Sequence, residues 1–138
     1  MLKKGKIAVI VSEFNKQISY GLLKGFEEEI KKHEGIRYEV FWVPGAFEIP
    51  LKAKRLAKDY DVLLALGCVL QGETYHFELV ANECARGCME VMLSENRPVV
   101  FEVLACYTEE EAIERSSGEG NKGRSAAVVA VEWMLNGK

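Results

Sequence analysis

Hydrophobic positions along this chain alternate between two rhythms. Lys6 to Val11, Val62 to Leu66 and Val99 to Leu104 are short, largely continuous apolar runs, the pattern of strands covered on both faces. Arg37 to Val43 alternates more clearly, which predicts a fourth strand at a sheet edge. Between these runs the apolar residues fall at helical spacing. Ser19 to His33 presents Leu22, Leu23, Phe26 and Ile30 on one side, with Ser19 as the expected N-cap and Gly35 as the stop. Phe47 to Asp59 turns Ile49, Leu51, Ala53 and Leu56 inward and tolerates Pro50 in its first turns. From Phe77 a long helix carries Leu79, Val80, Cys84, Cys88, Val91 and Met92, ending at Asn96-Arg97-Pro98. Thr108 caps a short acidic helix over Glu109 to Arg115, and a last helix runs from Arg124 to Leu135.

Strand and helix alternate with short connections and no repeat or linker, so residues 1–138 are expected to form one α/β domain. The architecture that follows is a three-layer, flavodoxin-like sandwich: a four-stranded parallel sheet with right-handed crossovers and helices on both faces. In such folds ligands bind beyond the carboxyl ends of the strands. Three turns follow strand ends here: Ser12 to Asn15, Pro44 to Glu48 and Gln71 to His76, with Gly67 expected to close the third strand.

Composition narrows the chemistry. With 138 residues, 49% of them hydrophobic, the chain can bury one ordinary core. A net charge of -3, with lysines interleaved among acids, argues against nucleic-acid binding. No apolar run approaches the ~20 residues of a membrane span, and the amino terminus lacks a small-residue cleavage site, so it reads as a lead into the first strand. Four scattered cysteines, Cys68, Cys84, Cys88 and Cys106, fit a reduced cytoplasmic protein better than a disulfide scaffold. Without a CxxC pair or a second ligand cluster, a metal at Cys84, Cys88 and His76 is a poor reading. Cys106, with no His or Lys beside it in sequence, is a weak nucleophile candidate.

The remaining candidates gather at the turns. Gly72 to Thr74 precede a helix whose first N–H groups lack internal partners, a setting that accepts phosphate, and His76 in its first turn can pass protons near neutral pH. Thr74 as a plain cap and His76 as a plain surface residue are the bland alternatives. Phe14 and Phe47 offer flat apolar faces and Glu48 a carboxylate, against the alternatives of a core Phe47 and a Glu48 that only complements a helix dipole. The segment Ser116 to Gly123, where Arg115 and Lys122 flank Gly118 and Gly120, offers a second anion site or simply a helix break; it is not a P-loop, because Gly123 follows Lys122. The last helix is apolar around nearly its whole circumference, which predicts packing on another copy of the chain.

Four stretches carry a family likeness: Ser12 to Asn15, Val43 to Pro50, Gly67 to Phe77, and Glu114-Arg115 with Gly120 to Gly123. In order and separation they resemble the 6,7-dimethyl-8-ribityllumazine synthase family, over almost the whole chain. The resemblance implies condensation of 5-amino-6-(D-ribitylamino)uracil with 3,4-dihydroxy-2-butanone 4-phosphate, with release of phosphate and water and without metal or organic cofactor. It implies that Phe14 stacks on the pyrimidine and that Ala46, Phe47 and Glu48 hold the pyrimidine and ribityl portion. Glu73 and Thr74 would bind phosphate, and His76 would transfer protons. Arg115, with Lys122 close by, and Phe101 would come from a neighbouring subunit, in a pentamer or an assembly of pentamers. Glu13, Gln71, Tyr75, Glu102, Ala105 to Tyr107 and Ser125 depart from the family's common residues, Glu102 standing where glycine is frequent. The chain also begins close to its expected first strand, and by the resemblance it is expected to lack most of the family's strand-adding extension. Two rival readings are an archaeal-type riboflavin synthase, which would convert lumazine alone, and a catalytically weak flavin-binding shell protein.

Overall fold

A computed structural model describes residues 5–137. Four strands, β1 (Lys6–Ser12), β2 (Arg37–Val43), β3 (Val62–Leu70) and β4 (Val99–Cys106), form one parallel sheet in the order β2-β1-β3-β4. Five α-helices connect and cover it: α1 (Lys16–Ile30), α2 (Ile49–Leu56), α3 (His76–Glu95), α4 (Glu109–Arg115) and α5 (Lys122–Asn136). The expected three-layer α/β sandwich is the observed one, with β2 at an edge as its alternation indicated. The amino-terminal lead into β1 lies largely outside the described residues. Among the described residues no helix is long and apolar enough to cross a membrane.

Strand alternation divides the core into two layers. Ile7, Val9 and Val11 of β1 join Leu22 and Phe26 of α1 and Ala126, Ala127 and Ala130 of α5 on one face. Ala8 and Ile10 join Ile49 and Ala53 of α2 and Cys84 and Cys88 of α3 on the other. Each large side chain buried this way stabilises the fold by about 1.5 to 3 kcal/mol.

Several element boundaries move from where periodicity put them. The third strand does not stop at Gly67 but continues to Leu70. A Cβ there would press on the Ser12 hydroxyl, so glycine serves the close approach of β1 and β3. Ser19 is not an N-cap: α1 begins three residues earlier, after Asn15 in the left-handed conformation, and Ser19 is buried inside the helix. The second helix is split into a 3-10 turn over Ala46–Glu48 followed by α2. Ile49, Ala53 and Ala57 then form the inward stripe, which turns Leu51 about 200° away and leaves it 57% exposed. Leu56 is only partly buried. Helix α5 starts at Lys122, two residues before Arg124, because Asn121 supplies the cap. Thr108 caps α4 as its sequence indicated, and the structure adds Glu111 as the partner in a full capping box.

Candidate active site

Because the strands are parallel, Ser12, Val43, Leu70 and Cys106 end on one side of the sheet. Short hydrogen bonds stitch the following turns together. The Glu13 and Phe14 N–H groups donate to the carbonyls of Val43 (2.8 Å) and Pro44 (3.1 Å), and Gln71 N–H donates to Cys106 carbonyl (3.0 Å). The Asn15 side chain donates from Nδ2 to the Cys68 carbonyl at 2.9 Å. Its backbone takes φ 59°, ψ 50°, a conformation asparagine tolerates better than most residues. Phe14 is thereby held from both sides, through its own N–H to the turn after β2 and through its neighbour's amide to β3.

This frame displays apolar surface instead of hiding it. Phe14 is 72% exposed and Phe47 57%, so neither belongs to the core, and Tyr75 and Tyr107 are exposed as well. Ala46 is buried beneath the rim. Glu48, Glu73, Thr74 and His76 are exposed, and the side chains of Glu48, Glu73 and His76 have no hydrogen-bond or ion-pair partner among the described residues. The start of α3 is equally open. Tyr75 offers no side-chain cap, and the one local contact is a long one, from His76 N–H to Thr74 Oγ1 at 3.4 Å. An anion placed there meets free N–H groups and the positive end of a 20-residue helix.

The glycine-rich segment is built differently. Asn121 Oδ1 accepts from Gly123 N–H (2.7 Å) and Arg124 N–H (3.2 Å), and its Nδ2 donates to the Gly21 carbonyl of α1 (2.9 Å). The donors that the second anion site would need are therefore already taken. What this region retains is side-chain charge: Lys122 is exposed at the first position of α5, and Arg115 ends α4. Arg115 Nη1 donates to the Glu111 carbonyl (2.9 Å) and lies 3.7 Å from the Glu114 carboxylate.

Phe101 stands apart from the rim of its own chain. It pairs with Ala65 in the middle of the sheet, is 38% exposed, and lines a shallow apolar groove with Ala85, Cys88, Met89, Met92 and Val99. The structure thus brings Phe14, Ala46 to Glu48 and Glu73 to His76 to one rim and leaves Phe101 on another surface.

Three of the four thiols are raised in pKa, and Cys88, which its hydrogen bond with Cys84 lowers, is buried. Burial pushes Cys68 up to about 12 and raises Cys106 against the opposing charge of Arg115. Cys84 is raised by its hydrogen bond with Cys88 and by burial. Among the described residues no group of three or more His, Cys, Asp or Glu side chains is arranged to hold a metal ion.

Sequence reasoning passed over Asn15 as a site-building residue and stopped β3 before Val69 and Leu70, which carry the strand up to the rim. The available signal was an asparagine directly after an exposed aromatic and directly before a helix.

Comparison with known proteins gives the family. The sequence profile of 6,7-dimethyl-8-ribityllumazine synthase matches residues 4–137. Among similar proteins are the 6,7-dimethyl-8-ribityllumazine synthases of two strains of Thermus thermophilus. Each is 47% identical over 134 residues, covering 94% of this chain and 85% of the relative. The enzyme of the same name from Protochlamydia amoebophila is 43% identical over 139 residues, covering 96% and 80%. A profile match spanning nearly every residue, with two-fifths or more identity to these relatives, shows that this chain belongs to the 6,7-dimethyl-8-ribityllumazine synthase family.

Proposed function

We propose that this chain is a transferase of riboflavin biosynthesis. It condenses 5-amino-6-(D-ribitylamino)uracil with 3,4-dihydroxy-2-butanone 4-phosphate to 6,7-dimethyl-8-ribityllumazine, releasing phosphate and water. The observation that carries the reading is the open rim: exposed aromatic plates, an unpaired carboxylate and an uncapped helix start with His76 in its first turn, in a chain of this family.

Each group matches a part of the reactants. Phe14 stacks on the flat pyrimidine, while Ala46, Phe47 and Glu48 hold the pyrimidine and the ribityl hydroxyls. Glu73 and Thr74 receive the phosphate through the turn at the start of α3. An amine of the uracil attacks the ketone, and loss of water gives an imine. Removal of a proton beside the imine expels phosphate, and attack by the second nitrogen closes the ring with loss of another water. His76 moves protons in these steps, a contribution typically of about 10² to 10⁴-fold. Holding two reactants in register supplies more, up to about 7 to 11 kcal/mol of the barrier.

The site is shared between subunits in this reading. Phe101 faces away from its own rim, so it serves as the second aromatic wall only for an adjoining copy, and Arg115 and Lys122 grip phosphate from that same copy. The exposed apolar side of α5, with Val128, Val129, Trp133 and Leu135, supports packing between copies. A cytoplasmic pentamer, or an assembly of pentamers, of single-domain subunits fits these surfaces.

Mixing the two substrates and following lumazine absorbance tests the reaction, together with the mass of the assembly in solution. Formation of lumazine supports it. Conversion of lumazine alone to riboflavin, or tight flavin binding without turnover, replaces it with one of the rival readings.

A further inference from the structure

Helix α3 opens without a side-chain cap, yet its first turn has to stay in place if His76 is to work from it. Helix ends without such a partner fray unless something else holds them. One candidate lies just beyond β4. The Tyr107 ring meets the ring of Phe77, the second residue of α3, with 6.2 Å between centroids and 46° between planes. Phe77 is buried although neither core layer includes it, and Tyr107, 67% exposed, lies on the solvent side of the pair. Tyr107 is itself fixed. Its N–H donates at 2.8 Å to Glu111 Oε1, the carboxylate that also completes the α4 capping box. The Cys106 carbonyl just before it accepts from Gln71 N–H. Two ties thus join the end of β4 to the segment that leads into α3, one through the backbone and one through the rings.

We propose that Tyr107 is a positioning residue: clamped by the α4 capping box, its ring braces Phe77 and holds the open first turn of α3, with His76 in it, where other helices use a cap. The work of His76 that this serves rests on the function proposed above. An aromatic brace leaves the first N–H groups of the helix free for an anion, whereas a capping side chain would occupy them. A ring pair at this separation is worth about three- to tenfold in the balance between a closed and a frayed turn.

The test is amide hydrogen exchange of the intact assembly over residues 75–82, with steady-state kinetics on both substrates. Leu79 N–H, which bonds the Tyr75 carbonyl at 3.2 Å, is the local reporter. Tyr107→Ala should speed exchange there about three- to tenfold and lower kcat by a similar factor, with the KM of the uracil unchanged. Tyr107→Phe, which keeps the ring and drops the hydroxyl, should restore both. Glu111→Ala, which releases the Tyr107 N–H, should act in the same direction and add little to Tyr107→Ala. In a His76→Ala background Tyr107→Ala should still speed exchange but change kcat by less than about twofold. Unchanged exchange over 75–82 in Tyr107→Ala, acceleration spread evenly over the chain, or a Tyr107→Phe variant as impaired as Tyr107→Ala overturns the proposal. A wild-type protein that makes no lumazine overturns the proposed function instead, and the exchange result then decides the brace alone.

Discussion

Helices α3 and α5 both begin in polar turns that look fit to receive phosphate, and they are built in opposite ways. At α5 the Asn121 side chain closes the helix start and ties it to α1, so that its polarity is used up inside the fold. At α3 no side chain caps the helix, and the side chains of Glu73 and His76 point to no partner among the described residues. A helix start that gives up a cap forgoes about 0.5 to 2 kcal/mol of stability. That sacrifice makes sense where an outside anion completes the site. The difference teaches that the backbone of a helix start receives an anion only where its N–H donors are left unused.

The closed start should fail first as structure. A Cβ at Gly123 would overlap the Leu22 carbonyl of α1, a backbone atom that cannot swing aside. Gly123→Ala should therefore cost more than about 4 kcal/mol, beyond the about 1 to 3 kcal/mol of ordinary overpacking. Thermal unfolding checks it, and a melting temperature within a few degrees of wild type would mean that α1 and α5 are not so tightly seated. Arg115→Ala should leave folding intact and lower kcat/KM by about 10³-fold through the lost phosphate grip. His76→Ala should lower kcat by about 10²-fold without abolishing turnover, since positioning survives. An inactive His76→Ala beside an unaffected Arg115→Ala would exchange these roles.

The contrast between the two starts explains how much was legible beforehand. Strand runs and helix stripes gave the architecture because burial on two faces leaves a mark on every second or every third to fourth residue. Thr108 was legible as a cap because its box partner Glu111 lies three residues on. Asn121 was not, since one of its three side-chain hydrogen bonds reaches Gly21 of α1, 100 residues away. Asn15 was missed for the same reason: its amide answers a carbonyl on β3, a partner that sequence spacing does not reveal. Phe47 could be read as core or plate, and its 57% exposure decides for the plate.

Asn121→Ala and Thr74→Val form the smallest pair and the one that separates the two starts most cleanly. Removing Asn121 deletes a cap and leaves the Gly21 carbonyl without its donor, for a loss of about 2 kcal/mol in denaturant unfolding. Its effect on phosphate affinity should be slight, because those N–H groups never faced an outside anion. Thr74 makes only the 3.4 Å contact with His76 N–H. Thr74→Val should therefore shift stability by less than about 0.5 kcal/mol, yet raise the KM of the phosphorylated ketone several-fold. If Thr74→Val proves the more destabilising of the two and phosphate affinity stays the same, the start of α3 is a structural cap, and the difference between the two helices carries no chemistry.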